Sequence, residues 1–535
     1  MLGLMQPHAL TLDTICEHAA RWHGAREVVS RSGDGSIVRT NYASIRNRAR
    51  RLSNALRTLD IGVGDRVATL AWNSARHLEA WFAISGIGAV CHTLNPRLFI
   101  EQIAWIANHA GDKAVIVDVE LLPLLKRILP HCPRIEHVIV LDDQDEPFAL
   151  ENPRPLSVER LIASHPPEAQ WGNFDENTAA GLCYTSGTTG DPKGVLYSHR
   201  SNFLHTLMTI QPDVFGLSSS DVVLPAVPMF HANAWGLAYS CPAVGAKLVM
   251  PGNRLDGAAL HELMEQEGVT FSAAVPTVWQ MLLEHLQHTN GKLTTLQRVV
   301  VGGAAAPEAL VRAFHDRFGI SVLHAWGMTE LSPVGTCFAR TADVASLPFE
   351  QQLPYRLKQG RPPLMVDIKV VDDHQVAQRH DGSSPGRLLV AGHAVIARYY
   401  LQDESVLDAQ GYLDTGDIAT IDPEGFLRVV DRAKDVIKSG GEWISSLEIE
   451  NLVLSHSAVA MAAVIGVPHP KWDERPLLLV KVREGQGCDA EEIRAFLRDK
   501  IAKWWMPDEI RIVSEIPTGP TGKIDKRLIR RGLAG

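Results

Sequence analysis

The stretch GLCYTSGTTGDPKGV at residues 181–195 joins a short apolar run to a loop that contains three glycines, four threonine or serine hydroxyls and one lysine. An apolar run that enters a glycine-rich segment predicts a strand followed by a loop. Such a loop can turn its backbone N–H groups around a polyphosphate, and its hydroxyls and Lys193 would add donors and positive charge. The Walker pattern G-x-x-x-x-G-K-[ST] is absent, which disfavours a Ras-like or ATPase site. The stretch therefore predicts a phosphate-binding loop of a different class.

Around this loop, residues 1–430 alternate short apolar runs with longer helix-like stretches. Runs at 67–72 and 114–118 have the length of buried strands, and amphipathic stretches at 76–85 and 100–109 lie beside them. This alternation is typical of parallel strands with helical crossovers. We therefore expect a large α/β body that is composed of more than one subdomain.

The pattern changes after residue 384. Alternating runs at 418–421 and 426–430 flank the turn residues Asp-Pro-Glu-Gly, which is a hairpin signature. The last hundred residues or so contain a helix candidate at 446–454, strand and helix candidates after it, and a Gly/Pro-rich loop near the end. We expect these residues, 431–535, to form a small α+β domain of their own.

The composition excludes several classes of protein. The 535 residues carry a net charge of −9, which disfavours a nucleic-acid coat or a binder of anionic membranes. Seven scattered cysteines without a C-x-x-C pair predict free thiols in a reducing compartment, and neither a disulfide framework nor a zinc site. We also expect no signal peptide and no spanning helix, because the first basic residue follows two acidic ones and no apolar run reaches about 18 residues. These features predict a cytoplasmic enzyme.

Six further motifs accompany the phosphate loop. They are MFHANAWG (229–236), VGGAAAP (301–307), HAWGMTE (324–330), YLDTGD (412–417), DRAKDVIKSGGEWIS (431–445) and PTGPTGK (517–523). In this order they resemble the signatures of the adenylate-forming, or AMP-binding, superfamily, which includes acyl-CoA synthetases, peptide-synthetase adenylation domains and firefly luciferase. The resemblance covers nearly the whole chain. It implies an α/β plus α+β fold: a large body of mixed sheets and helices with a distorted β-barrel part at 1–430, and a small mobile domain at 431–535 that rotates about a hinge at Asp431.

The resemblance also implies a reaction in two steps. A carboxylate attacks the α-phosphorus of ATP and releases pyrophosphate, and the thiol of CoA then displaces AMP from the acyl-adenylate. Both steps build up negative charge, so a preorganised cation should dominate catalysis. The motif match assigns this role to Lys523. Mg²⁺ is the implied cofactor, ATP and CoA are co-substrates, and a homodimer through the large domain is implied.

The resemblance assigns the other site residues one by one. His231, Thr329 and Glu330 join Lys523 as catalytic residues, His231 by orientation and electrostatics without a proton-transfer role. Thr185 and Glu330 match the magnesium contacts, because hydroxyl and carboxylate oxygens suit a hard cation. The nucleotide and CoA contacts implied are Thr185, Ser186, Gly187, Thr188, Thr189, Lys193, Gly303, Ala304, His324, Trp326, Gly327, Asp417, Arg432, Lys434, Lys438, Gly440, Gly441 and Trp443.

Within that set, different residues are matched to different parts of the ligands. His324, Trp326 and Gly327 are placed where the family stacks adenine, and small residues at 303–304 would line its other side. Asp417 and Arg432 are matched to the ribose. In fatty-acyl members, residues at positions corresponding to 434, 438 and 443 contact the nucleotide and CoA. Consecutive glycines at 440 and 441 would let the pantetheine arm pass close to the backbone.

The acid itself is less closely defined. No Asp or Lys at the start of 229–236 or within 301–307 could pair with the charges of an amino-acid substrate. Several motifs resemble bacterial medium- and long-chain fatty-acyl-CoA ligases and 3-methylmercaptopropionyl-CoA ligases, in which Trp235 matches an indole at the acyl tunnel and Gly302 borders the same channel. We expect a medium-chain fatty acid. A 3-methylmercaptopropionyl-CoA ligase and an aromatic, cinnamate-type CoA ligase stay open.

Two other classes of function are weighed against a CoA ligase. A non-catalytic acyl or nucleotide sensor would be expected to lack Lys523 or Glu330, and both are present. An adenylate-only enzyme of the luciferase kind would form acyl-AMP without CoA-dependent release of AMP.

Overall fold

The computed structural model describes residues 1, 3–142, 150, 152–185, 191–440, 442–518 and 524–533. The strands of this part of the chain are β1 (Glu27–Arg31), β2 (Ile37–Asn41), β3 (Arg66–Leu70), β4 (Val90–Thr93), β5 (Ala114–Asp118), β6 (His137–Leu141), β7 (Leu156–Ser157), β8 (Ala179–Tyr184), β9 (Gly194–Ser198), β10 (Val222–Pro225), β11 (Lys247–Met250), β12 (Phe271–Ala274), β13 (Arg298–Val301), β14 (Ser321–Gly327), β15 (Val334–Cys337), β16 (Val366–Val371), β17 (Gly386–Gly392), β18 (Leu413–Ile421), β19 (Leu427–Arg432), β20 (Ile437–Ser439), β21 (Glu442–Ile444), β22 (Val459–His469), β23 (Asp473–Val482) and β24 (Glu509–Ile512).

The α-helices of the same residues vary from five to seventeen residues in length. They are α1 (Leu12–Trp22), α2 (Tyr42–Thr58), α3 (Ala75–Gly86), α4 (Ile100–Ala110), α5 (Leu122–Ile128), α6 (Val158–Ser164), α7 (His199–Thr209), α8 (Leu237–Val244), α9 (Gly257–Glu267), α10 (Pro276–Thr289), α11 (Glu308–Phe318), α12 (Ala342–Ser346), α13 (Phe349–Arg356), α14 (Ser446–Leu454), α15 (Ala490–Leu497) and α16 (Lys526–Leu533). None of them is long and apolar enough to span a bilayer.

Two large sheets form the first part of the molecule. One has the order β7-β6-β5-β3-β4-β8-β9 and the other β15-β14-β13-β12-β10-β11-β1-β2. Their interior strands pair in parallel, and β9, β15 and β2 add antiparallel edges. The predicted α/β body with parallel strands is therefore confirmed. Short apolar runs gave the right elements because both faces of these strands are covered.

Helix α3 lies in the hydrophobic core between the two large sheets. All of its residues except Arg76 are buried, and one continuous cluster of buried side chains includes residues from both sheets. A helix that is buried nearly all round must satisfy its polar groups internally. The Ser85 hydroxyl donates to Trp81 O at 2.8 Å, and the Trp81 indole N–H donates to Nε2 of His77 at 3.0 Å. The core thus fixes the two sheets against one another.

A four-stranded antiparallel sheet, β16-β17-β18-β19, follows the large sheets. Its last two strands are the hairpin predicted around residues 422–425, and they pair in antiparallel register. The distorted β-barrel part expected here is wrong as a closed barrel. In the described chain β16 pairs with β17 at one edge and β19 pairs with β18 at the other, so this sheet stays open.

The final sheet has the order β21-β20-β23-β22, with β24 added in parallel beside β23. Helices α14 and α15 pack on it through a core of its own that includes Ile449, Ile493 and Leu497. A separate core and a mixed sheet with helices confirm an α+β unit after the large body. The fold class predicted from the sequence, α/β plus α+β, is therefore confirmed.

Candidate active site

Four motif loops leave the carboxyl ends of parallel strands. The phosphate loop follows β8, the segment at 229–236 follows β10, and the segments at 302–307 and 328–330 follow β13 and β14. Ligands of open α/β sheets bind outside the carboxyl ends of the strands. The topology therefore gathers motifs that are far apart in sequence at the ends where such ligands bind.

The phosphate loop connects two antiparallel strands. At its base the Thr185 N–H donates to Lys193 O at 3.0 Å, and the Lys193 N–H donates to the Thr185 hydroxyl oxygen at 3.4 Å. The hairpin thus brings these two predicted residues together. Ser186, Gly187, Thr188 and Thr189 lie outside the described residues.

Glu330 follows β14 in a short turn at Thr329–Leu331. It is only 7% exposed, and its Oε1 accepts a hydrogen bond from the Tyr399 hydroxyl at 2.8 Å. The neighbouring Thr329 carbonyl accepts from the Tyr197 hydroxyl, also at 2.8 Å. Within the described residues no Lys or Arg forms an ion pair with Glu330. Two tyrosines that the sequence did not single out therefore hold this turn.

The Asp417 carboxylate joins two other predicted residues. Its Oδ2 accepts from the Trp326 indole N–H at 2.9 Å, and its Oδ1 lies 2.9 Å from Nε of Arg432. Asp417 and Trp326 are buried, whereas 49% of the Arg432 side chain is exposed. The structure thus brings Trp326, Asp417 and Arg432 together, and it orients the carboxylate from two sides.

Gly327 ends β14 beside Pro333, whose carbonyl oxygen would lie 2.1 Å from a Cβ at that position.

His324 is fully buried behind this network. Its Nε2 accepts from the Ala306 N–H at 3.2 Å, and its Nδ1–H donates to Leu357 O at 3.0 Å. Burial lowers the pKa of His324 to about 4, so the ring is neutral near pH 7. Both ring nitrogens contact backbone, which makes the imidazole a support for the 302–307 loop and does not favour stacking on a ligand.

Trp235 lies on a left-handed turn. Ala232, Asn233, Ala234 and Trp235 have φ values between 39° and 60°, and Gly236 follows at 84°. Left-handed backbone is unfavourable for residues with a Cβ. The turn follows His231, whose ring lies 5.0 Å from that of Phe230.

This turn aims the Trp235 indole at the loop after β13. A Cβ built at Gly302 would lie 3.1 Å from Cη2 of Trp235, and one at Gly303 would lie 3.9 Å from Cζ2. A side chain at 302 would crowd the indole, so glycine favours this close approach. Trp235 and Gly302, which the sequence placed at one channel, therefore lie close together, and Gly303, which the sequence matched to the adenine, lies near the same indole. Ala304 is exposed.

The motif at 431–445 runs from the end of β19 through β20 and β21. Lys438 on β20 is opposite Trp443 on β21, and both are at least partly exposed. The Gly440 N–H donates to Trp472 O at 2.9 Å, and a Cβ at Gly440 would lie 2.8 Å from the Trp472 ring. Desolvation lowers the pKa of Lys434. Gly441 lies outside the described residues.

The last predicted loop is described only at its two ends. Thr518 and Ile524 form an antiparallel bridge, and the Asp525 N–H donates to Pro517 O at 2.9 Å. Lys523 itself lies outside the described residues.

Asp431 ties the end of β19 to the start of α14. Its Oδ2 accepts from the Ser446 N–H and from the Ser446 hydroxyl, both at 2.6 Å. The Lys526 ammonium donates to the Ser446 hydroxyl oxygen at 2.6 Å and pairs with Glu450 at 2.7 Å. Burial raises the pKa of the Asp431 carboxyl. A carboxylate with these contacts links the strand before the small domain to the first helix within it.

Comparison with known proteins agrees with this arrangement. Residues 16–400 match the AMP-binding enzyme family, and residues 448–523 match the AMP-binding enzyme C-terminal domain. The chain belongs to the AMP-binding enzyme family. The motifs at 181–195, 229–236, 301–307 and 324–330 lie within the first match, and the motif at 517–523 lies within the second.

Two relatives match this family member over nearly the whole chain. The 3-methylmercaptopropionyl-CoA ligase of Ruegeria lacuscaerulensis is 47% identical, with 99% of this chain and 98% of the relative covered. The medium-chain-fatty-acid–CoA ligase of Ectopseudomonas oleovorans is 46% identical, with 99% and 97% covered. The enzyme is accordingly an ATP-dependent acid–thiol ligase of the AMP-forming type, with ATP and CoA as co-substrates and Mg²⁺ as cofactor.

A solved structure shows the same fold. The anthranilate CoA ligase AuaEII in complex with anthranoyl-AMP aligns with a TM-score of 0.87 at 24% identity, over 99% of this chain and 98% of that one. The family member described here thus shares the fold of adenylate-forming CoA ligases.

The surroundings of Glu330 fit a magnesium ion. Buried carboxylates are normally paired with a cation or bind a metal, and Mg²⁺ prefers carboxylate and hydroxyl oxygens. Glu330 is nearly buried and has no ion-pair partner within the described residues. The Tyr399 hydroxyl bonds to one of its oxygens, so the carboxylate keeps further acceptor capacity. Glu330 would therefore hold the ion, which when bound would neutralise phosphate charge.

Proposed function

We propose that this enzyme joins a medium-chain fatty acid to CoA. The observation that carries the proposal is the close packing of Trp235 over Gly302 and Gly303, which puts a flat apolar surface at the loop after β13. An apolar surface of this kind suits an alkyl chain. The loops at 229–236 and 302–307 contain no Asp or Lys that could pair with the charges of an amino-acid substrate. One of the relatives compared above is also a medium-chain ligase.

The proposed site has one group of residues for each part of the reactants. Thr185, Lys193 and the loop at 186–190 would surround the phosphates, and Thr329 would contact the α-phosphate. Asp417 would accept the ribose hydroxyls, since Trp326 and Arg432 already hold its orientation. His231 would orient the carboxylate. Gly303 and Ala304 would line the adenine, and Lys434, Lys438, Gly440, Gly441 and Trp443 would contact the nucleotide and CoA.

Lys523 would supply the positive charge for adenylation. When the acid's carboxylate attacks the α-phosphorus, charge grows on the phosphoryl oxygens, and pyrophosphate leaves as an anion. A preorganised ammonium stabilises that transition state more than the ground state. We propose that residues 431–535 rotate about Asp431, so that Lys523 serves the first half-reaction and the segment at 438–443 serves the second.

The enzyme's location and assembly are part of the same proposal. All seven cysteines are free and six are buried, which suits the reducing cytoplasm. We propose a cytoplasmic homodimer formed through the large body. Sedimentation of the purified protein at several concentrations tests this, because a monomer at every concentration would exclude the dimer.

A profile of AMP release over C2–C16 acids, 3-methylmercaptopropionate, benzoate and cinnamate tests the choice of acid. Each buried methylene contributes about 0.8 kcal/mol, so four of them give roughly 200-fold discrimination. We expect a maximum in kcat/KM near C8 and a steep fall toward C4. A maximum at 3-methylmercaptopropionate would favour the thioether function, which a relative at 47% identity supports. A maximum at cinnamate or benzoate would favour an aromatic-acid ligase.

The Lys523→Ala variant tests the catalytic assignment. Loss of one electrostatic contact at a developing charge typically costs about 10²–10³ in rate. We expect the rate of adenylate formation, measured by pyrophosphate exchange, to fall by this factor. Preformed acyl-adenylate should still react with CoA. Lys500→Ala, an exposed lysine of the same domain, is the matched control. Unimpaired adenylation by Lys523→Ala would refute the assignment, and AMP release that does not depend on CoA would indicate an adenylate-only enzyme.

A further inference from the structure

The segment at 396–400, between β17 and β18, contacts two motifs that handle phosphate and metal in the proposed site. The Ile396 N–H donates to Glu330 O at 3.0 Å, and the Tyr400 N–H donates to Gly194 O at 2.8 Å. One backbone hydrogen bond thus fixes the segment to the turn at 329–331, and the other fixes it to the base of the phosphate loop. Tyr399 lies between these two anchors.

The Tyr399 side chain reaches both motifs. Its hydroxyl donates to Oε1 of Glu330 at 2.8 Å, and Nζ of Lys193 lies 4.7 Å from the centre of its ring. The side chain is half-buried. A single side chain therefore touches the candidate metal carboxylate and the candidate phosphate lysine, which do not pair with one another.

We propose that Tyr399 is a positioning residue that orients Glu330 toward a divalent cation and holds Lys193 at the phosphate loop. The inference rests on the proposed roles of Glu330 and Lys193. The hydroxyl occupies one carboxylate oxygen and leaves the other to a metal, and the ring face attracts the ammonium. Groups that orient a metal ligand in this way typically affect metal affinity by about 10–100-fold when they are removed.

The Tyr399→Phe variant separates the two contacts, because it removes the hydroxyl and keeps the ring. The probe is Mn²⁺, counted as free ion by electron paramagnetic resonance during titration into the full-length protein saturated with a non-hydrolysable ATP analogue. We expect the Kd of Mn²⁺ to rise about tenfold or more in Tyr399→Phe. Tyr400→Phe is the matched control, since it loses a hydroxyl that donates to Ala110 O and should keep the wild-type Kd.

The Tyr399→Leu variant removes the ring as well. We expect it to weaken binding of the ATP analogue measured without metal, which Tyr399→Phe should not do, because only the leucine variant releases Lys193. Circular dichroism of each variant confirms that it is folded. Wild-type Mn²⁺ affinity in Tyr399→Phe, or an equal loss in Tyr400→Phe, would overturn the inference.

The Glu330→Gln variant separates the proposed role of Glu330 from the inferred role of Tyr399. If Glu330→Gln binds Mn²⁺ as tightly as the wild type, the proposed role of Glu330 fails, and the role of Tyr399 toward the metal fails with it. If Glu330→Gln weakens Mn²⁺ binding and Tyr399→Phe does not, only the inference about Tyr399 fails.

Discussion

His324 illustrates how individual residues of the site are supported from behind. Its two ring nitrogens bind the backbone at Ala306 and Leu357, so the imidazole links the 302–307 loop to the segment after α13. This pattern needs a neutral ring with its proton on Nδ1. Protonation of Nε2 would place a second N–H against the Ala306 N–H and remove an acceptor. The ring therefore couples local stability to pH.

We predict that His324 destabilises the folded protein as the pH falls. The pKa is lowered from 6.5 to about 4 on folding, so the unfolded state binds more protons between these values. The neutral ring's contribution to the free energy of unfolding is fully present above about pH 6.5, and about 2 kcal/mol of that free energy is lost at pH 5. His324→Gln, which keeps a donor and an acceptor, should show a smaller loss of unfolding free energy between pH 7 and pH 5 in urea titrations. The exposed His131→Gln is the control. An equal pH dependence in wild type and His324→Gln would contradict the prediction.

At the scale of elements, the left-handed turn at 232–235 is a strained piece of backbone in a buried place. Each residue with a Cβ in this conformation costs roughly 1–2 kcal/mol relative to right-handed backbone. The surrounding core compensates for that cost, since Ala232, Asn233 and Ala234 are all buried. The result is a fixed direction for the Trp235 indole over Gly302.

We predict that Ala234→Gly changes stability little, although Ala234 is fully buried. Loss of the methyl group costs about 0.8 kcal/mol, but glycine relieves about 1–2 kcal/mol of left-handed strain. Ala83→Gly in the middle of α3 is the control, because Ala83 is equally buried and lies in regular helix, where glycine costs about 1 kcal/mol more. Urea unfolding should separate the two variants by about 2 kcal/mol or more. Equal destabilisation would show that the turn carries no such strain.

The sequence predicted those elements whose signal is local. The strand β5 and the helix α14 begin and end where the predicted runs do, because burial of a continuous run or of one helix face decides them. The left-handed turn was not predictable, since A-N-A-W before Gly236 carries no residue that requires positive φ. Whether the four-stranded sheet closes into a barrel depends on which strands pair. The family resemblance alone predicted a barrel part, whereas the sheet is open.

Prediction of the candidate site met a similar limit. Trp326, Asp417, Arg432, Trp235 and Gly302 were found by motif, and the structure brings them into two contacting groups. Tyr399 and Tyr197 belong to no motif that was recognised. Their contacts join segments 69 and 132 residues apart in the chain, and only the tertiary fold shows that they meet.

At the scale of the whole molecule, ion pairs connect the small domain to the large body. Arg483, just after β23, lies 3.0 Å from Glu284 on α10, and Arg428 on β19 lies 2.8 Å from Glu448 on α14. The Arg483 and Glu284 side chains are 36% and 44% exposed. Exposed pairs of this kind contribute about 0.2–1 kcal/mol, which is too little to lock two domains together. A contact of that strength is compatible with a rotating small domain.

This pair offers a test of the proposed rotation. If the small domain turns about Asp431 between half-reactions, the Arg483–Glu284 contact exists in one orientation only, and Arg483→Glu disfavours that orientation alone. We expect the half-reaction that uses it to slow by about two- to fivefold, while the other is unchanged or faster. Pyrophosphate exchange measures adenylation, and single turnover of preformed acyl-adenylate with CoA measures thioester formation. The double variant Arg483→Glu/Glu284→Arg should restore wild-type rates, and high salt should remove the difference. An equal change in both half-reactions, or no recovery in the double variant, would show that the contact does not distinguish two orientations of the small domain.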